Sequence, residues 1–492
     1  MMQNILQGRI LPLMGAGLVY NKMELKVKEH NWSPTKFEAE LNKICFMGIP
    51  LGGLSGSFFM QSLYRGTQPI PNLKISITHF LLHVRNILYV LLVSIAGVFK
   101  NRKLLNNPVV IAYTNRSERI FGIFDSLLPL MKNENILYIN TMGEKVSPLK
   151  KNEKFLDIYK TTIKQYLEWR KEYKSIKREL ALTLSNLKQV YGFNDITLTA
   201  LNRYLKFQTL HCVALTEKFN KIKPKYILTD FDRGRYNNCV VVTGNKLAIP
   251  TYSFIHGSTE PPTGFIPILA NKLLCWGEIQ VKQFASLGIK PERLPIVGNG
   301  KIPSPPHSIK KHGHNSLNIC FAGNNIAMNE RLALFNLIGD ATRKINHIDY
   351  IMKIHPAEEK IDYQSVQDIN SHIKIIESKE LSNKSLFEKT DLLLVHNSTI
   401  MIEAIAHGVP VLIINHPEVT FPIGIGQHLL VIPGYPQIHT SRELEQFILS
   451  VQRDHHCLEG LFEKCLIFIH EYCRYFGDES IREQIKVFEN HV

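Results

Sequence analysis

The sequence predicts an α/β protein built from two parallel-sheet domains joined by a linker. Three observations predict it. Short runs rich in Val, Ile and Leu alternate with stretches of helical composition on both sides of the chain's middle, the rhythm of βαβ units. Residues 300–316, with three prolines among polar neighbours, cannot pack as an element and divide the two series. Several of the runs end in a small polar cluster, and open α/β sheets bind ligands beyond the carboxyl ends of their strands.

At 492 residues the chain has room for two or three domains, and its 45% hydrophobic and 21% charged content is that of a globular protein. The first region, 1–105, is basic and partly apolar. No Asp or Glu occurs between Glu40 and Glu118, and Gly48 to Gly56 reads as a glycine-rich loop. Within it, Ile87 to Phe99 is apolar and bracketed by Arg85 and Lys100. That run is shorter than the roughly 20 residues that span a bilayer. Residues 75–103 instead fit an interfacial helix on an anionic membrane surface, against the plainer reading of a buried core helix. The N-terminus shows no signal-peptide pattern, so a cytoplasmic protein, peripheral on the inner membrane face, is expected. The net charge of +15 comes without a nucleic-acid recognition motif, so nucleic acid is not an expected partner. None of the eight cysteines forms a C-x-x-C pair, and buried thiols are expected.

The first domain is expected over 106–300. Val109 to Tyr113 reads as a strand, residues 118–131 as a helix and Ile136 to Ile139 as the next strand. Residues 150–222 lack proline and read as a helical insertion with a break near Gly192 to Asp195. Strands resume at Tyr226–Leu228, Thr251–Phe254 and Lys272–Cys275. The second domain is expected over 317–492, with strands at Leu317–Phe321, Tyr350–Ile354, Ile373–Ile376, Leu392–Val395 and Val411–Ile414, and a helical tail from Ser441. These are two Rossmann-like halves, expected to face a cleft.

Four polar clusters carry chemistry. His355 ends a strand and is followed by Pro356; a histidine there can stabilise charge developing on a departing phosphate, or simply be structural at a turn. Asn397-Ser398-Thr399 opens a helix that includes Glu403. A helix start offers unpaired N–H groups to phosphate, the hydroxyls add donors, and Glu403 suits a ribose diol; plain N-capping is the alternative. Gly323 and Asn324 can bring backbone N–H groups to the same phosphates, and Lys353, on the strand before His355, is a further candidate contact to the nucleotide or faces the other side of the strand. In the first half, Asp230 and Asp232 stand beside Arg233 and Arg235, which makes either carboxylate a candidate base toward an acceptor hydroxyl or part of a solvated ion-pair turn. His256, before Gly257, is the other candidate base. No H-E-x-x-H or Cys/His ligand pattern is present, and Asp230-Phe231-Asp232 is the one triplet that could hold a divalent cation; no metal is expected, since two-domain enzymes of this kind neutralise phosphate with helix dipoles and side chains.

His355-Pro356 and Ser398-Thr399 resemble the HP and S-S/T motifs of bacterial sialyltransferases. They also resemble those of capsule Kdo transferases and of the CDP-glycerol glycerophosphotransferases of teichoic acid synthesis. His256-Gly257, Trp276-Gly277, Gly288-Ile289 and Ile296 to Asn299 resemble the end of the first domain in these enzymes. The likeness covers about residues 225–420 and implies a GT-B-fold glycosyltransferase of bacterial surface-polysaccharide synthesis. It implies donor-phosphate contacts for His355, Ser398 and Thr399. The sialyltransferases' acidic D/E-D/E-G motif is matched imperfectly, since Asp232-Arg233-Gly234 carries Arg in place of an acid. The base therefore stays open among Asp230, Asp232 and His256. The implied substrates are a nucleotide sugar, CMP-linked by resemblance, and a glycan or lipid-linked acceptor, with no bound cofactor. A UDP-N-acetylhexosamine 2-epimerase, a glycerophosphotransferase or a non-catalytic nucleotide- or glycan-binding protein are the alternatives.

Overall fold

The computed structural model describes residues 34–55, 105–113, 118–140, 152–156, 161–191, 195–234, 237–257, 259, 265–309, 316–323, 326–355, 358–367, 370–420 and 423–490. The chain divides into two compact units, Lys26–Lys301 with Cys473–Val492, and Ile302–Tyr472. The apolar stretch at 75–103, and with it the expected membrane element, lies outside the described residues. Among the described residues no helix is long and apolar enough to cross a membrane.

The first unit opens with α1 (Pro34–Asn42) and a small antiparallel pair, β1 (Cys45–Phe46) and β2 (Ile49–Pro50). Then follow β3 (Val109–Tyr113), α2 (Glu118–Leu127), β4 (Ile136–Asn140), β5 (Glu153–Phe155), α3 (Ile163–Tyr191) and α4 (Asp195–Ile222). The series closes with β6 (Tyr226–Thr229), α5 (Asn237–Lys246), β7 (Thr251–Phe254), β8 (Lys272–Leu274) and α6 (Glu278–Ser286). β3 to β8 form one parallel sheet in the order β5-β4-β3-β6-β7-β8. This is the doubly wound order, whose crossovers change direction between β3 and β6. Every residue of β3, β6 and β7 is buried, as a parallel sheet covered on both faces requires. The helical insertion is the pair α3 and α4, joined by a Trp169 Nε1–Thr209 Oγ1 bond of 3.0 Å and a Tyr173 hydroxyl bond to Asn202 of 2.9 Å.

Three features of this unit differ from the sequence reading. β5 is a strand inside the stretch read as helical. Residues 34–55 are not a separate N-terminal region: Phe37, Leu41, Ile44 and Phe46 join the core that holds Leu180, Leu205 and Val240. The glycine stretch there is a β1–β2 turn with Gly48 at φ +77°, followed by the helical residues 51–55. Gly52 lies against α1, where a Cβ would come within 2.1 Å of the Glu38 carbonyl oxygen.

The second unit runs β9 (Leu317–Ala322), α7 (Met328–Thr342), β10 (Ile348–Lys353), α8 (Gln364–Gln367), β11 (Ile373–Ile376) and α9 (Asn383–Phe387). It continues with β12 (Leu392–Val395), α10 (Ile400–Ala406), β13 (Val411–Ile413), α11 (Gln427–Leu430), α12 (Ser441–Arg453) and α13 (His456–Tyr472). Its parallel sheet has the order β11-β10-β9-β12-β13, again doubly wound, with the reversal between β9 and β12. The expected helical tail is present, but α14 (Gly477–Glu489) groups with the first unit rather than the second. Phe488 stacks on Tyr226 and meets Tyr252 edge-on, and the Ser480 hydroxyl donates to the Val297 carbonyl at 2.6 Å. Gly298, at φ +72°, leaves room for the returning chain: a Cβ would overlap the Tyr475 carbonyl. The two-half α/β architecture read from sequence is thus the one observed.

Candidate functional site

In the second unit, the predicted residues gather at the carboxyl ends of three adjacent strands, β10, β9 and β12. Gly323 follows β9, His355 follows β10, and 396–399 follow β12, so the set brackets the point where the strand order reverses. Asn324 and Pro356 lie outside the described residues.

His355 is half-exposed and its main chain is fixed from below. Its N–H donates to Glu358 Oε2 at 3.0 Å, and the Glu358 N–H returns to the His355 carbonyl at 2.9 Å. The same Oε2 accepts the Tyr363 hydroxyl at 2.9 Å, and Arg331 faces Oε1 at 3.4 Å. Burial pushes the Glu358 carboxyl pKa up, against the His355 N–H, Arg331 and Tyr363, which favour the charged form. Gly323 closes over this knot. Its N–H donates to the Lys353 carbonyl at 2.8 Å, and a Cβ would sit 3.3 Å from Glu358 Oε2 and from the main chain of Lys353 and Ile354. Sequence reading did not single out Glu358, Tyr363 or Arg331. A carboxylate three residues after His355 was the available signal for the first.

Lys353 is buried, and its ammonium donates to the Leu381 carbonyl and to Asn383 Oδ1, both at 2.7 Å. Burial lowers its pKa, opposed by Cys320 and Glu403. Asn383 Nδ2 in turn donates to Glu403 Oε2 at 2.9 Å. Lys353 therefore orients Glu403 through Asn383, a more indirect part than the ligand contact expected from sequence.

The turn after β12 begins with His396, buried, with Nδ1 2.9 Å from the Ile414 carbonyl. Asn397, Ser398 and Thr399 are half-exposed. Thr399 is the N-cap of the short helix α10 and makes no side-chain capping bond; Ser398 Oγ reaches only the Ile400 N–H, at 3.4 Å. Capping thus occupies these hydroxyls weakly. Beneath the turn lies Gly424 at φ +59°, where a Cβ would fall 2.5 Å from both amide atoms of Asn397. Gly424→Ala is expected to lower stability by about 1–3 kcal/mol, from backbone strain and the Asn397 overlap, and to displace the turn. Thermal denaturation checks the first effect, and a shift of the Asn397 amide signals checks the second.

In the first unit the candidates separate by environment. Asp232 is buried, and its Oδ2 accepts the Leu269 and Ala270 N–H groups at 2.7 and 2.8 Å. Burial raises its pKa, opposed by those N–H groups and Arg233. It ties the 265–270 segment to the end of β6, and its geometry is structural. Arg233 is not in a solvated ion pair: it is fully buried, grips both Glu38 carboxylate oxygens and donates to the Pro267 carbonyl at 3.0 Å. Arg235 lies outside the described residues. Asp230, also buried, accepts Asn237 Nδ2 at 2.7 Å. Its carbonyl lies 3.1 Å from His256 Nδ1. A carbonyl only accepts, so Nδ1 carries the proton and the neutral ring's lone pair is on Nε2. His256 is half-exposed, edge-on to Phe231 and tilted against Phe265. Of the three candidates, His256 has the tautomer and exposure of a base.

Among the described residues no three His, Cys, Asp or Glu side chains cluster to hold a metal ion. No family model and no curated protein matches the sequence. Among solved structures, the chain is similar to a UDP-GlcNAc 2-epimerase from Neisseria meningitidis bound to UDP-GlcNAc. The identity is 13%, the coverage 78% of this chain and 100% of that one, and the TM-score 0.47. It is similar to a UDP co-structure from S. aureus at 14% identity, 78% and 98% coverage and a TM-score of 0.45. A lipopolysaccharide outer core galactosyltransferase matches at 12% identity, 78% and 100% coverage and a TM-score of 0.46.

Proposed function

We propose that this chain is a glycosyltransferase that takes a sugar from a nucleotide donor and passes it to a surface glycan or lipid-linked acceptor. The observation that carries the reading is the second unit's gathering of Gly323, His355, Ser398, Thr399 and Glu403 around its strand-order reversal. Such a point binds nucleotides because backbone N–H groups converge there on phosphate. In this reading His355 and the Ser398 and Thr399 hydroxyls hold the donor phosphate, and Glu403, oriented by Asn383 and Lys353, takes the ribose diol. Hydrogen bonds donated by His355, the two hydroxyls and nearby main-chain N–H groups stabilise the phosphate without a metal. The donor is CMP-linked, following the HP and S-S/T resemblance. His256 removes the acceptor proton through Nε2, and Asp230 holds its tautomer through the backbone carbonyl.

Thermal denaturation against CMP, CDP, UDP and GDP tests the donor site. CMP or CDP is expected to raise the melting temperature as any ligand of the folded state does. A larger shift with UDP would replace the donor, and no shift with any of the four would overturn the reading. The half-exposed His256 favours a second reading, transfer of glycerol phosphate, since an HG-type histidine is prominent in the glycerophosphotransferases that the sequence resembles. The two part on product: a phosphodiester carries phosphorus into the acceptor, detectable by phosphorus NMR, and a glycosidic bond does not.

A further inference from the structure

The outer face of α3 is a built surface that the nucleotide site does not use. Its inner side packs on α4. Its outer side carries Lys164, Arg170, Lys171, Lys174, Lys177 and Arg178, all exposed. Ile163, Leu167, Arg170, Lys174, Lys177 and Ala181 step by four and three residues in alternation, so they share one face, and Lys164, Glu168, Lys171, Ser175, Arg178 and Leu182 step the same way in the row beside it. Glu172 and Glu179 lie on the flank beyond that row. Arg170, Lys171, Lys174, Lys177 and Arg178 make no ion pair among the described residues.

The apolar side chains point the same way. Ile163, Leu167 and Leu182 are 48%, 56% and 60% exposed. A single exposed leucine needs no explanation, but three on one face with six cations and a single carboxylate, Glu168, form a pattern. A face of this kind suits the boundary between headgroups and acyl chains: cations meet lipid phosphates and the apolar groups enter below them. Single-stranded nucleic acid would call for aromatic rings between the cations. Here Trp169 and Tyr173 are bonded to α4 instead.

We propose that the outer face of α3 seats on an anionic lipid surface. The helix begins eight residues beyond β5, after the carboxyl edge of the sheet that also carries Asp230 and His256. The inference stands on surface chemistry and survives failure of the donor assignment.

Co-sedimentation of the full chain with vesicles tests it. Binding is expected to phosphatidylglycerol-containing vesicles, to weaken with salt, and to be absent with pure phosphatidylcholine. K171Q/K174Q/R178Q is expected to lower binding about a hundredfold, at roughly fivefold per cation. L167S/L182S is expected to lower it about tenfold or more. Both sets replace exposed side chains, so melting temperature and nucleotide response should match the parent, which separates this result from a failed donor site. Parent-like vesicle binding by both variants overturns the proposal. So does equal binding to neutral vesicles, or binding to heparin with none to vesicles.

Discussion

His355→Ala is expected to lower transfer about 100-fold with the nucleotide sugar that stabilises the protein, while leaving the melting temperature close to the parent's. The size is that of losing a donor that stabilises charge developing on a departing phosphate. Stability should hold because the His355 main chain, bonded both ways with Glu358, fixes the turn. Glu358→Ala should differ in kind. It leaves the His355 N–H and the Tyr363 hydroxyl facing a void and the Arg331 guanidinium with Asp362 alone, so it should lower both activity and stability, the latter by about 2–4 kcal/mol as buried donors lose their acceptor. Steady-state kinetics beside thermal denaturation read the contrast. Near-parent turnover of His355→Ala would remove the phosphate role, and unchanged stability of Glu358→Ala would remove the knot beneath it.

Why the chain revealed some of this arrangement and hid the rest follows from distance along it. β3, β6 and β12 were legible because a strand buried on both faces must be a continuous apolar run, and Val109 to Tyr113, Tyr226 to Leu228 and Leu392 to Val395 come close to one. β5 was not, because Glu153-Lys154-Phe155 is a three-residue edge strand with polar side chains, set in helical composition. His355, Ser398 and Thr399 were legible because strand ends are where a doubly wound sheet places ligands. Lys353 was read as a neighbour of the ligand because nothing near it reveals Asn383, 30 residues on, through which it reaches Glu403. The Asp230–Asp232 pair looked equivalent in sequence. The N–H groups of Leu269 and Ala270, which make Asp232 structural, come from a loop nearly 40 residues away.

The same limit hid the buried pair of Arg233 and Glu38, and removing one member of it is expected to produce the largest loss of stability in the first unit. Arg233 is 0% and Glu38 1% exposed, and 195 residues separate them. Burial raises the Glu38 pKa, and Arg233 opposes the rise, so the carboxylate depends on the guanidinium to stay charged inside the protein. Arg233→Met leaves Glu38 without that partner and should cost about 3–5 kcal/mol, visible as a lower urea midpoint for the first unit. Glu38→Leu alone should cost a similar amount, by leaving the guanidinium uncompensated. The double variant Arg233→Met, Glu38→Leu should recover much of either loss, since a buried ion pair roughly breaks even against apolar side chains of similar size. Recovery would mean that α1 is held to the end of β6 by packing, with the pair choosing which surfaces meet. Additive losses in the double variant would mean that the charges themselves hold α1 in place. A loss near zero in both single variants would remove the buried pair from the protein in solution.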